Sequence, residues 1–356
     1  MQLSVIILSY NVRYFLEQCV LSVRKALENI DGEIIVIDNN STDDSCAMMK
    51  ELFPNVKLIE NKDNLGFPKG NNIGVSQAKG EYICILNPDT VVAEDTFEKI
   101  LNFVTLSAVE VPNSEIGILG CKLIDGTGSF LPESKRGVPT PWVAFTKIFG
   151  LYKISNLFGK YYAQHLTENQ SGQADILVGA FMVMKRELYN DIGGFDENCF
   201  MYSDDIDLSY MALKKGKANY YFHETTIIHY KGESTIRDEK YMKRFQEAMN
   251  FFYSKHFKKS FVFDIFMKTG AFVFSLIKKN QSKEIKRTID EYIIFSKYVL
   301  DLNLNKKETI LNDFSEFKNK SNLNIEIIFD TKSFSYKDII NFMNCNKSKK
   351  DRKSVV

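Results

Sequence analysis

Short apolar runs alternate with amphipathic segments through the first half of the chain. Residues 3–8 and 33–37 are apolar runs of the length expected for buried parallel strands. Between them, apolar residues recur at four-residue spacing over 11–27, which predicts an amphipathic helix. Strands are also predicted at 56–59, 82–86, 116–119, 176–185, 220–222 and 227–229. This alternation through short connections predicts an α/β fold with a doubly wound, mostly parallel sheet.

The pattern changes beyond residue 120. Over 126–173, Gly, Pro and aromatic residues without a clear period predict a long, partly mobile insertion. From about residue 237 onward the pattern predicts helices, and from residue 306 it predicts a helix, a strand at 325–329 and a helix at 336–344. We therefore expect an α/β domain over 1–235, a helical extension over 236–300 and a partial tail over 301–356.

The tail is expected to be truncated. A lone strand–helix unit cannot bury both faces of its strand, so we expect 301–356 to be part of a larger domain. The last six residues, 351–356, have the sequence DRKSVV and resemble the translation of a common sequencing adapter. We expect these six residues to be artefactual.

Composition and charge are typical of a soluble globular protein. Of the 356 residues, 44% are hydrophobic and 26% are charged, and the net charge of +1 implies no general attraction to nucleic acid. No basic segment precedes the first strand and no uncharged apolar run reaches 18 residues, so neither a signal peptide nor a membrane-spanning helix is predicted. The six cysteines stand singly, without C-x-x-C spacing, which favours reduced thiols in the cytoplasm over a zinc site or disulfides.

One region has a strongly uneven charge. Residues 240–290 contain twelve Lys or Arg against four Asp or Glu, and they surround the apolar segment 261–277. This segment carries Asp264 and Lys268, and it has two interpretations. It either packs against the α/β domain or lies on the inner face of a membrane, where anionic lipid attracts each basic residue by about 1 kcal/mol.

Carboxylates follow predicted strands at the edge where open α/β sheets bind ligands. Asp38 follows the second strand, Asp89 follows 82–86, and an acidic cluster at 204–207 precedes a helix. Each could instead cap a turn or a helix, but three such positions favour a ligand site. Asp38 suits a nucleobase or ribose, Asp89 suits a metal that bridges phosphates, and packed acids suit a general base. His229 ends a short strand and is either a metal ligand or a hydrogen-bonded loop histidine.

Six motifs in this order identify a resemblance. They are SVIILSYN, VIDNNSTDDS, NLGFPKGNN, LNPDT, GGFDENCFMYSDDIDL and HYKGEST, and they span residues 3–235, about two thirds of the chain. This set resembles the inverting family 2 glycosyltransferases with the GT-A fold, most closely the bacterial branch that includes rhamnosyltransferases. The resemblance implies transfer of a sugar from a UDP- or dTDP-linked donor to a hydroxyl of a glycan or lipid-linked acceptor, in cell-surface polysaccharide synthesis.

The resemblance also implies roles for individual residues. Nucleotide-sugar contacts are expected at Ser9, Tyr10, Asn11, Asp38, Asn64, Lys69, Asn72, Asn87 and Asp204. Of these, the first three would line the nucleoside pocket and Asp38 would contact the pyrimidine. Asn64, Lys69 and Asn72 would lie near the nucleotide and diphosphate.

The metal and the base are implied in the same way. Asp89 and His229 would hold Mn²⁺ or Mg²⁺, although the usual D-x-D is Asn87-Pro88-Asp89 here, so weaker metal affinity is expected. Asp205 matches the catalytic aspartate of the family's E-D pair, and Asp204 replaces the Glu of that pair. The shorter Asp204 side chain puts its reach to the acceptor in question.

Other protein classes fit less well. A nucleotidyltransferase would have a Gly-rich loop after the first strand, where this chain has residues 9–13 without glycine. A dinucleotide-binding oxidoreductase would need G-x-G-x-x-G there, and the motif is absent. An inactive nucleotide-binding scaffold would be favoured by loss of Asp89 or Asp205, and both are present. The nucleotidyltransferase and the scaffold remain the alternatives.

Overall fold

The computed structural model describes residues 1–110, 116–140, 143, 161–231, 239–257, 289–300, 302, 304–318, 324–347 and 352–355. The predicted interfacial segment 261–277 lies outside this set. The strands up to residue 229 are β1 (Leu3–Ser9), β2 (Gly32–Asp38), β3 (Lys57–Glu60), β4 (Tyr82–Leu86), β5 (Thr90–Val91), β6 (Ile116–Ile124), β7 (Lys135–Arg136), β8 (Gly172–Gln173), β9 (Ile176–Leu177), β10 (Phe181–Lys185) and β11 (Ala218–His229).

The main sheet is mostly parallel at its N-terminal side and mixed beyond. Its strand order is β3-β2-β1-β4-β10-β6-β11-β5, with β8 beside β11. β1, β2, β3 and β4 pair in parallel, whereas β10 runs antiparallel to β4 and β6. The predicted mostly parallel α/β sheet is confirmed. The run predicted as one strand over 176–185 splits into β9 and β10, which leaves Gly179 in the turn between them.

Helices cover both faces of this sheet. They are α1 (Arg13–Ala26), α2 (Ser45–Leu52), α3 (Gly66–Ser76), α4 (Thr96–Glu110), α5 (Arg186–Asp191), α6 (Asp204–Lys214), α7 (Glu239–His256) and α8 (Tyr336–Cys345). Alternate residues of β1 enter different cores: Val5 and Ile7 pack with α1, while Ile6 packs on the face of α3 and α6. Burial on both faces explains why β1 is apolar at nearly every position.

A second, parallel sheet follows the main domain. It contains β12 (Glu291–Phe295), β13 (Lys307–Leu311), β14 (Ile325–Phe329) and β15 (Arg352–Val355), in the order β13-β12-β14-β15. The predictions of helix at β12 and β13 are therefore wrong, because periodicity does not separate a short apolar strand from a buried helix. The prediction of a lone strand is also wrong, since β14 pairs on both sides.

The second sheet is attached to the main sheet through α8. Ile339 and Phe342 of α8 share a core with Val91 of β5 and Ile228 of β11. The first backbone N–H groups of α8 donate to the two carboxylate oxygens of Glu94, each at 2.8 Å. Glu94 lies shortly after the turn at 87–90. The helix α8 of the second sheet therefore holds the segment that follows this turn.

Two further predictions concern the segment 126–173 and membrane-spanning helices. Within the predicted insertion over 126–173, β7 pairs with β9 and β8 pairs with β11, so these parts are built into the domain. Among the described residues, no helix has the length and apolarity needed to cross a membrane.

Candidate functional site

Three chain segments meet at one edge of the main sheet. β1, β2 and β4 are parallel, so Ser9, Asp38 and the turn at 87–89 emerge side by side. Ser9 and Asp38 are register partners at the strand ends, and the N–H of Asn39 donates to the Ser9 carbonyl at 2.9 Å. The predicted convergence of these groups at the carboxyl edge of the sheet is therefore present in the fold.

Two buried polar atoms at this edge lack partners. The Asp38 side chain accepts a bond from the Ser41 N–H through Oδ2 at 2.8 Å, whereas its Oδ1 has no partner among the described residues. The Ser9 hydroxyl is also buried, and no residue in the described part of the chain bonds to it. Buried polar atoms are normally satisfied, so this pair indicates a place where a polar ligand binds.

Residues next to Ser9 line the candidate ligand site beside Asp38. Asn11 has a positive φ of 54°, and its Oδ1 accepts a bond from the Thr42 N–H at 2.7 Å, which ties the loop after β1 to the loop after β2. The adjacent Tyr10 is 45% exposed, so its ring is accessible from solvent. The predicted nucleoside-contacting residues Ser9, Tyr10 and Asn11 therefore stand together beside Asp38.

The loop before α3 has a tightly specified backbone. The Asn64 side chain accepts a bond from the Gly66 N–H at 3.1 Å, and Gly66 has a φ of +81°. A Cβ at Gly66 would come within 2.8 Å of the Phe200 carbonyl oxygen, so only glycine fits. Lys69 is exposed on the first turn of α3, where its ammonium group is accessible to an anionic ligand.

Asn72 has a different environment from the other predicted nucleotide contacts. Its Oδ1 accepts bonds from the Tyr189 hydroxyl at 2.5 Å and the Phe195 N–H at 3.1 Å. Its Nδ2 donates to the Phe195 carbonyl and to Glu197, each at 2.9 Å. All four hydrogen-bonding positions of the amide are thus used to hold the loop at 193–197, and a nucleotide contact at Asn72 remains a prediction.

Asp89 and His229 form the candidate metal centre. The Asp89 Oδ1 lies 3.4 Å from the His229 Nε2, and the two residues are only 3% and 7% exposed. The antiparallel β5–β11 pair brings them together, since Thr90 and His229 are register partners. The Asn87 Oδ1 and the His229 Nδ1 are buried without partners among the described residues.

This donor set fits a metal that is shared with a ligand. It offers one carboxylate, one imidazole and the amide oxygen of Asn87. No group of three or more His, Cys, Asp or Glu side chains suited to a metal occurs in the described part of the chain. Mg²⁺ characteristically binds through one or two carboxylates and completes its shell with substrate phosphates and water.

Asp205 begins α6 and is held from two directions. The Arg136 Nη2 lies 2.6 Å from the Asp205 Oδ2, and the Gly179 N–H donates to the same oxygen at 3.0 Å. Asp204, Asp205 and Arg136 are all buried. Burial, together with the adjacent Asp205 carboxylate, raises the pKa of Asp204. The arrangement favours a proton on Asp204.

Sequence reasoning did not find Arg136. The residue lies in β7, inside the segment that was expected to be an irregular insertion. Its neighbour Lys135 is also buried, with its ammonium group bonded to the carbonyls of Tyr162, Ala163 and Leu166. Two consecutive cations usually indicate an exposed surface, so no local signal marks Arg136 as part of a site.

A second network anchors α7 to the helix that begins with Asp204 and Asp205. Asp207 accepts bonds from the Lys255 ammonium at 2.8 Å and from the His256 Nε2 at 2.5 Å. The Lys214 ammonium lies 2.9 Å from the His256 Nδ1, so the neutral tautomer with the proton on Nε2 satisfies both bonds. His256 had no predicted role from sequence. In the fold it fixes the position of α6.

Comparisons with known proteins identify the family of this chain. The Glycosyl transferase family 2 profile matches residues 4–114 and the Glycosyl transferase family group 2 profile matches residues 82–245, so together they extend over 4–245. The N-acetylglucosaminyl-diphospho-decaprenol L-rhamnosyltransferase of Mycobacterium tuberculosis is 26% identical over 247 residues, which are 66% of this chain and 78% of that protein. The minor teichoic acid biosynthesis protein GgaB of Bacillus subtilis is 37% identical over 106 residues, 28% of this chain and 12% of that protein.

One solved structure shows how low the sequence identity to the structural relatives is. The mannosyltransferase PcManGT from Pyrobaculum calidifontis, in complex with GDP-Man and Mn²⁺, matches with a TM-score of 0.49 and 16% identity over 79% of this chain and 76% of that chain. A likeness at this level says nothing about what the present chain binds.

The chain belongs to the family 2 glycosyltransferases, and its mixed α/β sheet is the GT-A fold. It is a glycosyltransferase similar to bacterial rhamnosyltransferases. The predicted family and fold are confirmed, and the nucleotidyltransferase and scaffold alternatives lose their support.

Proposed function

We propose that this glycosyltransferase moves a sugar from a UDP- or dTDP-linked donor to a hydroxyl of a glycan or lipid-linked acceptor, with inversion at the anomeric carbon. The observation that carries the proposal is the placement of three carboxylates at one sheet edge. Asp38 ends β2 and Asp89 follows β4, which both run parallel to β1. Asp205 accepts a bond from Gly179, which lies just before β10, and the start of β10 pairs with the end of β4. Support for cell-surface polysaccharide synthesis comes from the names of the relatives, which include an N-acetylglucosaminyl-diphospho-decaprenol L-rhamnosyltransferase and a minor teichoic acid biosynthesis protein.

The donor would bind along the ends of β1, β2 and α3. The unpartnered Asp38 Oδ1 and Ser9 hydroxyl offer hydrogen bonds to the nucleoside, with Tyr10 and Asn11 beside them. Asn64 and the exposed Lys69 lie at the start of α3 and would contact the diphosphate. A pyrimidine suits this site because its imide N–H can donate to a carboxylate.

Asp89 and His229 would hold Mn²⁺ or Mg²⁺ together with oxygens of the diphosphate, and Asn87 would contribute its amide oxygen or orient a water. When bound, such an ion neutralises charge that develops on the leaving diphosphate. Burial of both protein ligands keeps their side chains in fixed rotamers before the donor arrives.

Asp205 would act as the general base. Its carboxylate accepts the proton of the acceptor hydroxyl while that oxygen attacks the anomeric carbon from the face opposite the diphosphate. One displacement of this kind inverts the anomeric centre. Asp204 would orient the acceptor by donating a hydrogen bond, which suits a carboxyl group whose pKa is raised by burial and by Asp205.

The organisation of the chain completes the proposal. The glycosyltransferase domain would comprise residues 1–235, followed by an extension over 236–300 and a tail over 301–356. β12 of the extension lies in the same sheet as the three strands of the tail. The basic extension would bring the enzyme to the inner membrane face, where lipid-linked acceptors are found. Flotation with liposomes that contain or lack anionic lipid tests this point, and equal flotation would contradict it.

Nucleotide release from a panel of UDP-, dTDP- and GDP-sugars tests the activity itself. Each donor is assayed with Mn²⁺, with Mg²⁺ and with a chelator. The proposal expects release from a UDP- or dTDP-sugar that stops when the chelator is added. Release that ignores the chelator, or absence of both release and nucleotide binding by calorimetry, would contradict it.

A further inference from the structure

We infer that Arg136 is a positioning residue for the transfer reaction: it holds one oxygen of Asp205 so that the other oxygen faces the acceptor hydroxyl. The inference rests on the proposed function, because it takes Asp205 to be the general base. Neither the family motifs nor the sequence pattern assigns any role to Arg136.

The two oxygens of Asp205 are in different environments. Oδ2 receives both the Arg136 Nη2 at 2.6 Å and the Gly179 N–H at 3.0 Å. No described residue donates a hydrogen bond to Oδ1. Two donors on one oxygen fix the carboxylate rotation, and the remaining oxygen keeps its lone pairs for a substrate proton. A general base needs this combination of fixed orientation and a free acceptor atom.

The guanidinium is itself held by backbone. The same Arg136 Nη2 donates to the Leu177 carbonyl at 3.1 Å, and Arg136 is the register partner of Ile176 in the β7–β9 pair. Its position therefore does not depend on Asp205. A lysine at this site would present a single flexible ammonium in place of a planar group with fixed donors.

A purely structural ion pair is the competing explanation. Buried ion pairs contribute little net stability, because removing two charges from water costs about as much as their attraction returns. In addition, the Arg136 Nε is buried and has no partner among the described residues. A structural arginine would be expected to use that donor, so the geometry indicates that Arg136 is placed for Asp205 and the site beside it.

The charged groups around Asp205 include the cation Arg136. The groups that face Asp205 are Asp204 on its own helix and Arg136 on β7, and the groups around Arg136 include Tyr161 and Glu133. Without Arg136, two adjacent buried carboxyl groups would share the site with no cation in contact. Asp205 would then bind a proton more tightly, and the base would become inactive at a higher pH than in the wild type.

The test compares Arg136→Gln and Arg136→Lys with the control Arg186→Gln. Arg186 is a partly buried arginine whose Nε donates to the Gly80 carbonyl at 2.8 Å, near the opposite end of β4. We expect Arg136→Gln to lower kcat for donor turnover by about 10²-fold while KM for the donor stays within about twofold. The acid limb of the kcat–pH profile of Arg136→Gln should move to higher pH by at least about one unit, and the shift in Arg136→Lys should be smaller. The control Arg186→Gln should keep the wild-type kcat and the wild-type pH profile.

A titration without turnover separates this inference from the proposed function. The ¹³C carboxyl signal of Asp205, assigned by its absence in Asp205→Asn, is followed against pH in the wild type and both Arg136 variants. An upward shift in Arg136→Gln supports the inference even if no donor is turned over. An unchanged titration in folded Arg136→Lys and Arg136→Gln would overturn it. If Arg136→Gln does not fold, the Arg136→Lys titration and pH profile decide alone.

Discussion

The Asp89 carboxylate meets the His229 imidazole at 3.4 Å, across the short β5–β11 pair that closes the far end of the main sheet. The two residues are 140 positions apart in the chain, by subtraction of their numbers. Their meeting depends on antiparallel pairing that local sequence does not specify. Both side chains are buried, so a polar species that binds there is protected from bulk water. Its electrostatic interactions are stronger at this buried site than they would be in water.

Loss of His229 should weaken metal-dependent nucleotide binding. His229→Ala removes the nitrogen ligand while leaving Asp89 in place, and we expect the Mn²⁺-dependent part of UDP or dTDP affinity to fall by at least about tenfold. Calorimetry with Mn²⁺ and with a chelator measures this part by difference. His223→Ala is the control, since His223 bonds Ser171 away from the sheet edge. Equal losses in the two variants would argue against a metal at His229.

Asp38→Asn should weaken recognition of the base without loss of the fold. The substitution keeps the oxygen that accepts the Ser41 N–H and replaces the unpartnered Oδ1 with an amide donor. We expect affinity for UDP or dTDP to fall by about 1–3 kcal/mol, because an acceptor for the pyrimidine imide is lost. Affinity for pyrophosphate, which has no base, should be unchanged. A matching loss for pyrophosphate would place the effect elsewhere.

Asp207→Asn should release α7 from the domain. Asp207 is 2% exposed and accepts bonds from both Lys255 and His256, so its neutralisation leaves buried donors with a weaker acceptor. We expect a loss of about 2 kcal/mol in the free energy of unfolding, measured with urea. Asp196→Asn, at the more exposed contact of the same Lys255, should cost less than about 1 kcal/mol. A larger loss of unfolding free energy in Asp196→Asn than in Asp207→Asn would contradict the role given to Asp207.

His256 should make stability depend on pH. Burial lowers the pKa of His256 below its usual value of 6.5, against the opposing effect of Asp207, with Lys214 and Lys255 also nearby. The unfolded chain therefore takes up a proton near pH 6.5, before the folded chain does. The stability from neutral His256 is complete above that pH and falls as the pH drops toward the folded-state pKa. His256→Asn should flatten the fall below pH 6.5, and equal slopes would contradict this.

Much of the main sheet could be predicted, because its strands are specified locally. Tyr82–Leu86 was predicted at its observed bounds, and β1, β2 and β3 lie within two residues of their predictions. These strands are buried on both faces and bounded by turn residues, so a short apolar run is sufficient to identify them. β12 and β13 were missed because such a run follows a segment with helical composition. Pairing of β12 with β14, and of β13 with β12, makes them strands.

The candidate site was predictable where it uses strand ends. Asp38, Asp89 and Asp205 follow from the motif set and from the rule that ligands bind at the carboxyl edge. Arg136 was not predictable, since its burial and its contact with Asp205 depend on the β7–β9 pair within an irregular segment. For Asn72, sequence could not reveal that its whole amide is engaged by Tyr189 and the loop at 193–197.

The most direct test of the account is nucleotide release by Asp205→Asn, measured beside the wild type and Arg186→Gln with the donor that the wild type turns over. We expect Asp205→Asn to lower kcat by about 10²–10⁴-fold, the usual contribution of general-base catalysis, while nucleotide affinity by calorimetry is retained. Arg186→Gln should behave as the wild type. Near-complete activity in folded, nucleotide-binding Asp205→Asn would contradict the central claim that Asp205 is the base.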